Sequence, residues 1–353
     1  MTNSLHPRDY SLTGPLNAAA IEAGLANAQW YRPDIPRARM KQLMQRSDEP
    51  ATRDTAIWIG AMLVTGSLGA LFWGSWLCVP FFLIYGVLYG SGGDSRWHEC
   101  GHGTAFKTPW KNDAVYQLAC FMMMRNPIVW KWSHSRHHTD TIIVGRDPEI
   151  ITTRPPEVLK VGLNVFGLID VPQSLAAMLR YASGNLNASE KDFIPRGEWG
   201  KVVQVARNWV VIYCLTLLAS ALTQSLVPLM LIGLPRIYGA WHQVMTGLTQ
   251  HIGLAEDVLD HRLNCRTTRM NPFSQFVYWN MNYHIEHHMF PMVPYHRLPE
   301  LHEEIKDVCP PPYKGIVDCY REIIPTLRRQ LTEPDYFVRR TLPAASNDRA
   351  AVA

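Results

Sequence analysis

The sequence predicts an all-α integral-membrane fold: four transmembrane helices in two hairpins, joined to a helical cap on the cytoplasmic side. Three observations predict it. No Asp, Glu, Lys or Arg occurs from residue 55 to 93, a run long enough for two passes when one pass needs about 20 apolar residues. A second lean stretch runs from Arg207 to Ala255, broken among the charged residues only by Arg236. Both expected hairpin tips are uncharged, whereas the remaining segments hold nearly all of the Lys and Arg, which places those segments together on the cytoplasmic side.

Taken in order, residues 1–54 form a cytoplasmic arm. Two short helices are expected there, one from Asn17 to Trp30 and one after Asp34 and Pro36 that carries Arg37, Arg39, Lys41 and Arg46. The arm has no apolar run of the signal-peptide kind, so the amino terminus is expected to stay in the cytoplasm. The first hairpin is Ala56 to Trp73 and Trp76 to Gly90, turning at Gly74 and Ser75. Residues 94–200 are polar and rich in His and aromatics, with an amphipathic stretch from Val161 to Tyr181 suited to the bilayer surface. The second hairpin is Asn208 to Thr223 and Leu226 to Gly247, turning at Gln224 and Ser225. The expected domains are thus the arm 1–54, a membrane and catalytic domain 55–305, and a cytoplasmic tail 306–353 whose last ten residues read as disordered.

Composition excludes several classes. A net charge of +4 is too small for a nucleic-acid footprint, and no basic stripe interleaves with aromatics. Seven cysteines, odd in number and without a CxxC pair, argue against a disulfide framework or a zinc ribbon.

The histidines carry the chemistry. Of fourteen, His98 and His102 stand four apart in HECGH, His134, His137 and His138 form HSRHH, and His284, His287 and His288 form HIEHH. His251 follows the expected fourth pass. Residues three and four apart are neighbours on a helix surface, so HxxxH aims two imidazoles at one point and HxxHH aims three. Nine such histidines exceed what one ion can hold and imply two metals with four or five ligands each. An all-imidazole shell with open positions, lacking the carboxylate bridges of soluble di-iron bundles, favours iron held ready for O2. His242 reads as a polar residue within the bundle, and His6, His261, His296 and His302 as surface or packing residues.

With HECGHGTAFKT, WSHSRHHTDT and NYHIEHHMFPMVPYHRLPELH in that order, the chain resembles the membrane fatty acid desaturase superfamily, and in particular a bacterial subgroup. The resemblance implies metal ligands at His98, His102, His134, His137, His138, His251, His284, His287 and His288, held by the cytoplasmic cap. Asn280, Asp257, Glu286 and Asp140 are expected to support them from behind, with Asp147 and Glu256 also near the motifs.

It further implies a cofactor of two Fe ions, O2 as co-substrate, and oxidation of an unactivated C–H bond of a fatty acyl or alkyl chain by desaturation or hydroxylation. Decarboxylation of a fatty acid to a 1-alkene and oxidative demethylation or hydroxylation of a small polar substrate occur in the same subgroup. A bacterial inner-membrane location follows. No flavin fingerprint, haem signature or Cys cluster appears, so a separate electron donor is expected, a ferredoxin or rubredoxin with its reductase, docked beside Lys131, Arg136 and Arg146.

Two other classes fit less well. A metal transporter places its ligands at the bilayer midplane on broken helices, and a zinc hydrolase leaves five or more of the histidines unused.

Overall fold

In the computed structural model, residues 9–343 are described, apart from 13, 27 and 28. His6, expected to be a surface or packing residue, and the last ten residues, expected to be disordered, lie outside them. The described chain is helical, and its β-structure is confined to two isolated bridges, Thr267 with Tyr283 and Thr268 with Tyr313.

The amino-terminal arm holds α1 (Asn17–Glu22) and α2 (Arg37–Leu43), both shorter than expected. Ser47 starts α3 (Asp48–Leu71) by accepting the Glu49 amide on its hydroxyl, and two acidic residues occupy the first turn, where the helix dipole favours negative charge. The chain reverses at Gly74, whose φ is +89°, and returns as α4 (Cys78–Gly101). Trp58 locks the pair by donating its indole N–H to the Leu88 carbonyl at 2.7 Å. Helix α4 does not stop at the expected end of the pass. It continues unbroken into HECGH, so the first histidine pair stands on the extension of a hairpin helix.

Helices α5 (Pro109–Met122) and α6 (Pro127–Thr139) follow. Asn126 caps α6 by accepting the Ile128 amide, and Pro127 takes the first helical position, where its missing N–H costs nothing. The expected amphipathic stretch is two helices, α7 (Val158–Asn164) and α8 (Asp170–Ala182), separated near Gly167 at φ +63°. Leu159, Phe166, Leu168 and Leu179 on these segments are exposed. After α9 (Ala188–Phe193) comes α10 (Trp199–Thr223), which ends on Gln224 in the left-handed conformation, as the expected tip requires.

The fourth pass departs from expectation. Residues 226–247 do not form one helix but α11 (Val227–Leu231), α12 (Pro235–Tyr238) and α13 (Ala240–His251). Gly233 at φ +95° and Pro235, which has no N–H to offer the preceding turn, break the run. At the second break α13 approaches α4 so closely that a Cβ on Gly239 would lie 1.9 Å from the Gly86 carbonyl oxygen. Among the described residues two helical segments, Arg37–Leu71 and Arg196–Thr223, are long and apolar enough to cross a membrane, where four were expected.

The remaining helices are α14 (His261–Asn264), α15 (Pro272–Val277), α16 (His284–Met289), α17 (Leu298–Ile305) and α18 (Ile316–Gln330). Helices α2 and α18, from the arm and the tail, both pack on the rest of the described chain. Leu43 of α2 is buried with Ile285, Met289, Leu298, Leu301 and Ile305, and Cys319 and Ile323 of α18 pack on Leu248 and Ile252. All seven cysteines are free thiols.

Candidate metal centre

Four elements bring their histidines to one place. Helix α4 supplies His98 and, at its C-cap, His102. Helix α6 supplies His134, His137 and His138, α16 supplies His284, His287 and His288, and the end of α13 supplies His251. Helix α16 is only six residues long. It starts after Trp279 and Asn280, both at positive φ, and stops before Pro291, which disfavours helical geometry in the residue ahead of it.

These nine rings form two groups. His98, His102, His134, His138 and His287 make one, and His137, His251, His284 and His288 the other, with one ring nitrogen of each residue within 4.8 Å of all others in its group. The expectation that HxxHH aims three imidazoles at one point is therefore corrected. At about 100° per residue, i+4 returns to within about 40° of i, while i+3 falls about 60° to the other side. His134 and His138 accordingly face one group and His137 the other. In the third motif His284 and His288 stay together and His287 crosses over.

Within the first group Nε2 of His134 lies 3.1 Å from Nε2 of both His102 and His138, and His138 Nε2 is 3.2 Å from His287 Nε2. In the second, His284 Nε2 stands 2.8 Å from His251 Nε2 and 3.0 Å from His288 Nε2. These contacts are too short for facing lone pairs unless a cation or proton sits between them. His251 Nδ1 must be a donor, because its partner at 2.8 Å is the Asn264 carbonyl, so Nε2 of the neutral ring is bare. Buried Nε2 of His98 has no hydrogen-bond partner at all. For metal–nitrogen bonds of about 2.1 Å, ligands at right angles stand ~3 Å apart, which is the spacing found. The residues present thus fit two metal ions.

The electrostatics agree. Burial, reinforced by the neighbouring imidazoles, holds His134, His138, His284, His287 and His288 well below the ordinary histidine range. Neutral rings are the form that binds metal. Burial pushes His137 down as well, but the Asp147 carboxylate outweighs it and the net direction is up.

Support from behind comes from Asp147, one of the carboxylates named near the motifs, and from Glu149, Thr141 and Glu99, which were not named. Asp147 takes His137 Nδ1 at 2.8 Å, and Glu149 takes His134 Nδ1 at 3.0 Å. Thr141 lies 3.2 Å from His288 Nδ1. Glu99, fully buried, has a carboxylate oxygen 3.4 Å from His98 Nδ1 and 3.5 Å from His287 Nδ1.

Of the expected supports, Asp140 pairs with Arg136 at 2.5 Å, and Asp257 accepts the Val144 amide at 2.9 Å. Glu286 is occupied by Thr267 and His302, and Glu256 pairs with Arg154 at 2.7 Å. Asn280 accepts from Gln275 and donates to the Tyr295 carbonyl, so its amide is spent on the turn before α16. A signal for Glu149 does exist: it follows Asp147 in DPE, directly after the second motif. His242 lies 3.2 Å from Ser274 Oγ, a buried polar contact within the bundle. His261 is not a surface residue; it is buried, with its ring 5.1 Å from that of His288, and with Cys265 it forms a further small group around His288.

Three cavities lie beside the centre, and one of them is lined by His251. One of about 380 Å³ between α6, α8, α9 and α10 is lined by Val129, Met178, Phe193, Trp209 and Ser133, the neighbour of His134. It shares Trp130, Pro148 and Gln173 with a second of about 430 Å³ that includes Glu149 and Leu248. A third, narrower one shares Glu149 to Thr152 with the second and ends at His251.

Residues 74–319 match the family model described as fatty acid desaturase. The chain belongs to this family. The matched span holds all nine clustered histidines and begins beyond α3, so the arm and the first apolar helix of this desaturase-family chain lie outside it. The chain is also 29% identical over 108 residues to the sn-1 oleoyl-lipid 12-desaturase of Synechocystis sp. (strain ATCC 27184 / PCC 6803 / Kazusa). That alignment spans 31% of this chain and 30% of the cyanobacterial protein's length.

Proposed function

We propose that this protein is an O2-dependent di-iron oxidoreductase of the membrane, acting on an unactivated C–H bond of a fatty acyl or alkyl chain by desaturation or hydroxylation. The observation that carries the reading is the division of nine imidazoles into groups of five and four. His98, His102, His134, His138 and His287 would hold one iron, and His137, His251, His284 and His288 the other. A pair of irons bound there supplies the power to reduce O2 and break a strong C–H bond.

The chain's own residues hold that centre in place. Asp147, Glu149 and the Asn264 carbonyl fix three rings by their Nδ1 atoms, leaving Nε2 inward, and such partners also strengthen the ligand. Trp97 packs its ring 5.6 Å from His98 and 5.2 Å from His134, closing one side against water. The two larger cavities, which share Trp130, Pro148 and Gln173 and are lined by Ser133 and Glu149, are where an alkyl chain would lie. In desaturation O2 takes four electrons and four protons to become two waters. The two C–H bonds supply two of each, and a separate ferredoxin or rubredoxin, kept reduced by its reductase, supplies two electrons while solvent supplies two protons.

The proposed membrane arrangement keeps two hairpins in the bacterial inner membrane. Helix α3 pairs with α4, and α10 pairs with the broken return through α11, α12 and α13. Both termini and the histidine groups face the cytoplasm.

Metal analysis of purified protein tests the core of the reading: two irons per chain are expected, and one zinc would overturn it. His137→Ala should lose iron and turnover, whereas His242→Ala should keep its iron. Mass spectrometry of products formed with O2 and reduced ferredoxin then separates an alkene of unchanged length or an alcohol from a one-carbon-shorter 1-alkene or released formaldehyde.

A further inference from the structure

A line of rings leads from the surface to the second histidine group. Trp30, half-buried in the arm, stacks on His261 with centroids 4.1 Å apart and planes within 1°. His261 lies 5.1 Å from His288. The indole is pinned from a second direction, because its N–H donates to the Thr139 carbonyl at 3.0 Å, one residue beyond the second motif. The segment that continues from Trp30 borders an open groove of about 580 Å³, with Ile35, Met40, Met44 and Phe290 among its lining and Arg32, Arg37 and Lys41 on its rim. Phe290 is two residues from His288.

The rim is electropositive and uncommitted. Arg32, Arg37 and Lys41 are exposed and form no ion pair among the described residues, whereas Arg39 on the same helix is held by Glu304 at 2.6 Å and Glu300 at 3.6 Å. Asp34 is the one acidic residue lining the groove. Of the three residues first expected to receive a donor, Lys131 is exposed, but the two arginines are engaged within the chain. Arg146 is buried against the Tyr10 carbonyl and Asn17, and Arg136 is paired with Asp140.

We propose that this groove docks a small acidic one-electron carrier protein and that the Trp30–His261 stack is the electron's entry to the metal pair. The proposal rests on the di-iron reading above. Each docking event oxidises the carrier's reduced centre by one electron, which passes to the metal pair, so two events serve one O2. The stack is a bridge that shortens the gap and is not itself reduced. A protein fits this groove better than a bilayer. The groove is lined by α2, the segment before it and Phe290 at the end of α16; α2 packs on α16 and α17 through Leu43, and residues 45–47 lie between the groove and α3.

The test uses the full chain in detergent and an acidic [2Fe–2S] ferredoxin as probe. Arg37→Glu with Lys41→Glu should raise the ferredoxin Kd by about tenfold and flatten its salt dependence, with iron content and melting temperature unchanged. Trp30→Leu should leave Kd and iron content alone yet slow, several-fold, the reduction of the loaded protein by pre-reduced ferredoxin; Trp30→Phe should restore most of the rate. Reduction by dithionite should be equal in all variants.

An unchanged Kd after charge reversal overturns the docking site. So does a loss of binding to phosphatidylglycerol vesicles with ferredoxin affinity intact, which would assign the rim to lipid. An unchanged ferredoxin rate in Trp30→Leu overturns the entry path. A chain devoid of iron would end the di-iron reading, while the Kd measurements would still decide the docking site.

Discussion

Asp147 carries three hydrogen bonds, and they explain why it matters more than its neighbours. One carboxylate oxygen takes His137 Nδ1 at 2.8 Å and the Ile142 amide at 2.7 Å, and the other takes the Glu149 amide at 2.8 Å. A single residue therefore orients one imidazole, closes the loop after α6, and sets the backbone of the residue that supports His134. Asp147→Asn removes the charge that raises His137 and forces an NH2 into this network. Metal affinity is expected to fall about 10–100-fold, measured by competition with a chelator, with helix content retained; an unchanged affinity would show that the carboxylate is only a loop fastener. Eight of the nine clustered histidines were legible because their three motifs are local in sequence, and the ninth, His251, was supplied by the family resemblance. Apart from Asp147, already named near the second motif, their supports were not, because Glu99 and Thr141 reach His287 and His288 through tertiary folding and Asn264 reaches His251 through a backbone carbonyl. Glu286 misleads for the same reason: its place inside HIEHH suggests a role there, but rotation about α16 turns it toward His302 and Thr267.

At the scale of the element, turns were easier to read than continuity. The tips at Gly74 and Gln224 fall where expected, since each interrupts a long apolar run. The fourth pass is three helices where one was expected, because hydropathy reports burial in an apolar setting and is blind to backbone breaks. Gly86, Gly90 and Gly239 had meaning only once α4 and α13 were seen side by side. Gly239→Ala places a methyl 1.9 Å from the Gly86 carbonyl oxygen, where the nearest atoms are backbone and cannot rotate away. Overpacking of this kind costs about 1–3 kcal/mol or more. The melting temperature in detergent is expected to drop, and iron occupancy with it, because α13 delivers His251. Gly60→Ala, where no atom lies within 4 Å of the added carbon, serves as the control and should be neutral.

Across the whole molecule, the site draws on α4, α6, α13 and α16, so its stability and that of the fold are one quantity. Metal that binds only the folded state stabilises it by about 4 kcal/mol at a thousandfold excess over Kd, and removal by a chelator should lower the melting temperature correspondingly. The stripped protein should also become acid-sensitive. His134, His138, His284, His287 and His288 have folded pKa values far below the ordinary 6.5. The unfolded chain therefore binds more protons as pH falls below 6.5, and each ring that stays neutral in the fold costs about 1.4 kcal/mol per pH unit. A metal-free protein equally stable at pH 7.5 and 5.5 would contradict the neutral assignment.

The opposite allotment of the two HxxHH words has a consequence of its own. In α6 the first and last histidines go to one side and the middle one to the other; in α16 the sides are exchanged. Swapping the two halves of the site thus maps one motif onto the other, an approximate local dyad in a chain with no repeat to announce it. His98 and His102 on one half, answered by His251 alone on the other, break that equivalence by a single nitrogen donor, so the asymmetry between the halves is written in α4 and α13 and not in the paired motifs.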